Sequence, residues 1–159
     1  MFYPEQLQTQ PVMASATDAA GRASEAISLK GVSGAVLLEV EVNQGHSATV
    51  AITLQQCTAV DGTGAKALTV AVPIWADQDV ATNGGALTRQ TAAVAFTTSA
   101  ATTRKIVRFL IDPGTLDSAN NFDCVRFTTG ASNVANLTSG RFLFTPKYIQ
   151  SPSITARAN

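Results

Sequence analysis

The 159-residue sequence predicts an all-β fold, an antiparallel two-sheet β-sandwich of jelly-roll type, with an Ig-like sandwich as the alternative and extended arms at both ends. Three observations lead there. β-Branched residues recur from Ala26 onward in short runs separated by Gly, Asn, Asp and Pro. Several runs alternate apolar and polar side chains, the period of a strand with one face in a core. No helix of defined length emerges, and about eight strands in roughly 125 residues suit two packed sheets. The Ig alternative has Trp75, but the order and spacing of Cys57, Trp75 and Cys124 fit that fold poorly.

The elements follow in order. Residues 1–24 show no sustained period and are interrupted by Pro4, Pro11 and Gly21, which reads as an extended arm; the Ala-rich stretch 17–26 could otherwise form a short helix, against which Gly21 and the missing apolar stripe argue. Residues 25–149 form the sandwich domain and 150–159 a C-terminal tail. Expected strands cover 26–31, 35–43, 47–57, 66–75, 91–98, 104–112, 122–129 and 140–149. Ala48, Val50, Ile52 and Leu54 share one face of the third, and Val36, Leu38, Val40 and Val42 repeat that phase against Leu37, Glu39 and Glu41. Leu68, Val70, Val72 and Ile74 do so again. Lys105 to Ile111 differs, since Val107, Phe109 and Ile111 oppose Ile106 and Leu110; such a strand wants cover on both faces. In the last strand Phe142, Phe144 and Tyr148 oppose Leu143 and Ile149. Turns are expected at Asn43-Gln44-Gly45, Asp61-Gly62-Thr63-Gly64, Asn83-Gly84-Gly85 and Asp112-Pro113-Gly114. The predicted core includes Val50, Ile52, Leu54, Val107, Phe109, Val125 and Phe127.

Composition narrows the function classes. Only 14% of residues are charged, whereas 26 Ala, 20 Thr and 11 Ser build a mild surface. Eleven basic residues balance eleven acidic ones. They are scattered, with Arg104, Lys105 and Arg108 the tightest basic group, so neither nucleic acid nor an anionic membrane is an expected partner. Weak charge does not oppose self-association. The first thirteen residues have no basic n-region and are broken by Pro4 and Pro11, so no signal peptide is expected, and no run of 18 apolar residues occurs.

Candidate chemistry is sparse, and a non-enzymatic protein without catalytic, cofactor or metal residues is expected. His46, the only histidine, falls in an expected hairpin turn and reads as a solvated side chain rather than a triad base. Gly62-Thr63-Gly64-Ala65-Lys66 lacks the spacing of a phosphate loop, and Lys66 opens an expected strand. Asp77, Asp79 and Asn83 lack the further acids of a calcium loop. Glu39 and Glu41 share a strand face, as solvated residues do. Cys57 and Cys124 have no metal-ligand spacing; they read as small buried hydrophobes, and a disulfide requires their strands to be neighbours.

Three stretches carry a resemblance: Ala26-Ile27-Ser28-Leu29-Lys30-Gly31, the run from Ile52-Thr53-Leu54-Gln55-Gln56-Cys57 through Gly62-Thr63-Gly64 to Leu68, and Asn121-Phe122-Asp123-Cys124-Val125-Arg126. Across residues 26 to 130 the chain resembles a family of small virion structural proteins of tailed bacteriophages, similar to capsid decoration or cement proteins. The resemblance implies a head decoration protein on the capsid exterior, made in the bacterial host cytoplasm. Its implied partners are the major capsid protein and copies of itself, with a trimer by analogy with capsid threefold sites. A head-to-tail neck or tail protein is the structural alternative, and a glycan- or receptor-binding jelly-roll module is the alternative of another class. The arms lie outside the resembling stretches. Phe2, Tyr3, Leu7 and Val12 have no periodic element of their own, and together with Ile154 and Arg157 they are the expected partner-contact residues.

Overall fold

The computed structural model describes residues 6–148. Among these, twelve strands and one single-turn helix follow one another as β1(Gln8–Thr17), β2(Arg22–Ala23), β3(Ile27–Ser28), β4(Val32–Gln44), β5(Ala51–Cys57), β6(Lys66–Ala67), β7(Val72–Asp77), α1(Val80–Asn83), β8(Thr88–Ala93), β9(Ala95–Thr97), β10(Arg104–Ile111), β11(Cys124–Thr129) and β12(Asn136–Pro146). They form two antiparallel sheets in a sandwich. The first has the order β1-β12-β4-β10-β7-β8; the second runs β2-β11-β5-β6, with β3 also on β11 and β9 also on β5.

The alternation that predicts the strands also fills the core. Val36, Leu38, Val40 and Val42 of β4 meet Val107, Phe109 and Ile111 of β10 in register, and all seven are fully buried. From the second sheet Ile52, Leu54, Val125 and Phe127 close on them, again with no exposure, and Val50 just before β5 is equally buried. Gly140 of β12 faces the same core. A Cβ there would lie 2.4 Å from a ring carbon of Phe127, so the missing side chain is the space that this ring occupies.

Several expected elements are corrected. Residues 8–24 are not an arm. β1 is the edge strand of the first sheet, paired with β12 from Gln8 opposite Phe144 to Thr17 opposite Leu137, and β2 pairs with β11 in the second sheet. The sequence hid β1 because the strand bulges between Pro11 and Met13 and again before Ala16, which breaks the period of two. The expected strand 66–75 is divided: β6 belongs to the second sheet and β7 to the first, and the crossing between them leaves Val70 exposed. The expected strand 91–98 is divided likewise between β8 and β9. Both runs are apolar enough to read as one strand, yet each turns a corner of the sandwich. His46 lies on a connection from β4 to β5, strands of different sheets, and not in a hairpin.

A polar clamp turns the corner from β1 to β2. The fully buried Asp18 carboxylate accepts from Thr129 Oγ1 at 2.9 Å in the second sheet and from Thr138 Oγ1 in the first, as well as from Arg22 Nε at 3.2 Å. Arg22 in turn donates to the carbonyls of Ala14 and Ala16, both at 2.9 Å. Gly21, at φ +71°, permits the turn. One buried carboxylate thus joins both sheets, with its charge matched by a guanidinium.

Candidate functional site

Side chains on the outer face of the first sheet follow from parity alone once the strand order is known. Register places Arg141 of β12 beside Glu39 of β4, Glu39 beside Arg108 of β10, Arg108 beside Trp75 of β7, and Trp75 beside Arg89 of β8. The row crosses five adjacent strands. A second row sets Leu143, Leu37 and Leu110 side by side, all half-buried. On the other flank Ile106 lies between Glu41 and Asp77.

Ion pairing organises the charged row. Glu39 Oε2 accepts from Arg108 Nε at 2.7 Å, and Oε1 accepts from Arg141 Nε at 2.8 Å and from its Nη2. Burial opposes the charge on Glu39, but the two arginine hydrogen bonds outweigh it and hold the carboxyl below its ordinary range. The Glu39 side chain is 7% exposed, whereas Arg108 and Arg141 stay 39% and 49% exposed. The pair of guanidiniums is therefore held in place from beneath and open from above. Arg104 Nε donates to Glu41 Oε1 at 2.7 Å, and the Arg89 guanidinium lies over the Trp75 ring, 4.5 Å from its centre.

A groove of about 230 Å³ lies beside this row at the bulged part of β1, lined by Pro11, Met13, Glu39, Glu41, Ser139 and Arg141 among others. The surface thus combines ion-paired arginines and a tryptophan, residue types enriched among the residues that dominate binding energy at protein interfaces, with a row of half-buried leucines on paired strands.

The residues singled out from the sequence fare differently. Phe2, Tyr3, Ile154 and Arg157 lie outside the described residues. Leu7 is half-buried just before β1. Val12 is a correction: it is 4% exposed in the protein's own core, because β1 is a strand of the sandwich and carries Val12 with it. Glu39 is a second correction, since it is covered by two arginines and is no solvated residue. Glu39 and its two partners, Arg108 and Arg141, occupy the outward phase of the expected strands 35–43, 104–112 and 140–149. That phase was visible, but strand adjacency was not.

The other candidates have structural partners. Asp77 Oδ1 accepts from Asn83 Nδ2 and the Asp79 amide, and Asp79 caps α1 through Thr82. Lys66 pairs with Asp117 at 2.6 Å and lies over Phe122. The ring of His46 accepts the Ala48 amide at 3.0 Å. Lys105, in phase with Val107 and Phe109, is fully buried and donates to the Ala101 carbonyl and Thr103 Oγ1.

No family model and no curated protein sequence matches this chain. Among solved structures, the SPBc2 prophage-derived protein YomS is similar at a TM-score of 0.47 and 8% identity, over 87% of this chain and 93% of that one. A protein of Bacteroides thetaiotaomicron, described as a candidate sugar-binding protein, gives a TM-score of 0.30 and 11% identity over 79% and 65% of the two chains. Likenesses this distant leave the functional reading to the residues themselves.

Proposed function

We propose that this chain is a non-enzymatic structural protein of a tailed-phage virion, a decoration protein that binds the outside of the head through the outer face of its first sheet. The observation that carries the reading is the row Arg141, Glu39, Arg108, Trp75 and Arg89 beside Leu143, Leu37 and Leu110. Five paired strands fix the spacing of these side chains, and the Glu39 ion pairs and the Trp75 ring restrain three of the arginines, which lowers the ordering cost of contact. Four arginines, counting Arg104, stand on this face, while Glu39 and Glu41 are already bound by arginine and Asp77 is buried, and that favours an acidic protein surface as partner. The resemblance of residues 26 to 130 to virion structural proteins supplies the setting.

The neck or tail alternative uses the same surface chemistry and differs in copy number. The glycan alternative calls for open aromatic faces, whereas the Trp75 ring carries the Arg89 guanidinium. The test is quantitative gel densitometry of purified particles from a phage encoding the chain. Hundreds of copies per particle support decoration; about six or twelve would place the protein in a ring at the neck. Binding to particles lacking the protein should fall roughly 30-fold for Trp75→Ala or Arg108→Ala, the scale of a central interface residue. Undiminished binding by both variants would overturn the assignment of this face.

A further inference from the structure

Cys57 and Cys124 are 67 positions apart in the sequence, yet they stand directly opposite each other in the second sheet. Cys57 is the last residue of β5 and Cys124 the first of β11. Both thiols are free, 0% and 2% exposed, and they share a small apolar cluster with Ala26, against which Val60 and Ala65 pack. Inward positions of these strands are held by Leu54, Gln56, Val125 and Phe127, so parity puts both sulfurs on the outer face of the sheet, with Val60 and Ala65 of the 58–65 connection against them.

We propose that Cys57 and Cys124 form a reversible cross-strand disulfide, a redox-sensitive staple between the two central strands of the second sheet. The register sets its character. The Gly130 amide donates to the Ala51 carbonyl at 2.8 Å, and six steps back along the ladder the Cys124–Cys57 pair is again of the hydrogen-bonded type. Such pairs have Cα atoms about 5.5 Å apart, inside the range that a disulfide spans. Their Cβ atoms are about 5 Å apart, more than the roughly 3.8 Å that the bond prefers. Closing that gap requires the strand ends to pucker, which positions at the end of one strand and the start of another allow. A disulfide made under that strain is easily reduced.

Access is gated by the connection that covers the pair. The loop is held by its own bonds, from the Thr58 amide to the Thr63 carbonyl and from the Thr63 amide to Asp61 Oδ1, and Gly62 lies against the Arg126 guanidinium. Burial pushes the Cys57 thiol up; burial and the neighbouring Asp123 carboxylate push Cys124 up to about 12. The closed protein therefore presents little thiolate, and oxidation follows loop opening. The oxidant class is a small-molecule disulfide such as oxidised glutathione. One cysteine thiolate attacks it, forming a mixed disulfide and releasing one glutathione; the second cysteine thiolate attacks the mixed disulfide and releases the other. Two protons and two electrons leave the protein, and one external disulfide becomes two thiols.

The experiment treats the full chain with oxidised glutathione, once folded and once during refolding from urea. The expected product is a monomer lighter by two hydrogens, with one cross-linked peptide joining Cys57 to Cys124. Its β-sheet circular dichroism should be unchanged and its melting temperature reversibly altered by reduction. Millimolar reduced glutathione should return it to the dithiol, and Cys57→Ala or Cys124→Ala should show neither the cross-link nor the redox-dependent melting shift. The inference is overturned if both thiols stay free or carry only glutathione after refolding. It is equally overturned if the cross-link joins two chains, or if the oxidised chain loses its sheet signal. These outcomes are independent of particle binding, so the staple and the proposed function stand or fall separately.

Discussion

Gly140 and Glu39 show how single positions hold the two faces of the first sheet. On the inner face, Gly140→Ala would drive a methyl into the Phe127 ring, which is itself fully buried and has nowhere to withdraw. The expected cost is about 1–3 kcal/mol of stability, the usual scale of overpacking, read as a lowered urea midpoint with the slope unchanged. On the outer face, Glu39 is ionised against two arginines, and its folded pKa lies below the ordinary 4.5. Its contribution is therefore fully present above about pH 4.5 and is lost as pH falls through the lower, folded value. Urea titrations from pH 7 to pH 3 should show that acid-side loss, and Glu39→Gln should flatten it while lowering neutral-pH stability by about 1–3 kcal/mol. An acid slope unchanged in Glu39→Gln would assign the loss to other carboxylates.

At the scale of elements, β1 changes what a truncation means. Read as an arm, the first twelve residues are dispensable for folding. In the structure they include half of an edge strand, the paired positions Gln8 to Pro11, and Val12 in the core. Deleting residues 1–5 keeps all of β1 and serves as the reference. Deleting 1–12 removes a buried valine and exposes the β12 edge, costing roughly 2–4 kcal/mol on the scale of large core truncations. Thermal melts of the two deletions decide it: equal midpoints would mean that β1 adds nothing to the sandwich. The bulges of β1 also have a functional side, because the groove beside Arg141 lies at them.

For the whole molecule, charge placement constrains assembly. The chain is neutral, but the outer face of the first sheet carries four arginines against Glu39 and Glu41, with Asp77 buried. Two such faces brought together by a twofold axis would oppose like charges. The outer face of the second sheet offers Thr53, Gln55, Arg126 and Thr128. A trimer, proposed by analogy with capsid threefold sites, joins other, unlike surfaces around a ring, which leaves the outer face of the first sheet to the capsid and avoids that conflict. Light scattering with size-exclusion chromatography should give three times the chain mass. A symmetric dimer would contradict the trimer, and one joined through the two first-sheet faces would contradict the charge argument as well.

What the sequence determined by itself was the two-sided chemistry of each long strand. Val36 to Val42, Ile52 to Leu54 and Val107 to Ile111 were legible as core because side-chain direction alternates with a fixed period of two, a local property of extended backbone. The outward phase of Glu39, Arg108 and Arg141 was legible for the same reason. Which strands become neighbours is what makes these three one ion-paired row and brings Cys57 opposite Cys124. Tertiary structure alone also decided where the runs 66–75 and 91–98 turn from one sheet to the other, and that the irregular residues 8–17 complete an edge. Those outcomes depend on which strands become neighbours. That is fixed by the total burial of two sheet faces against each other, a quantity to which residues distant in sequence contribute jointly and which no local period encodes.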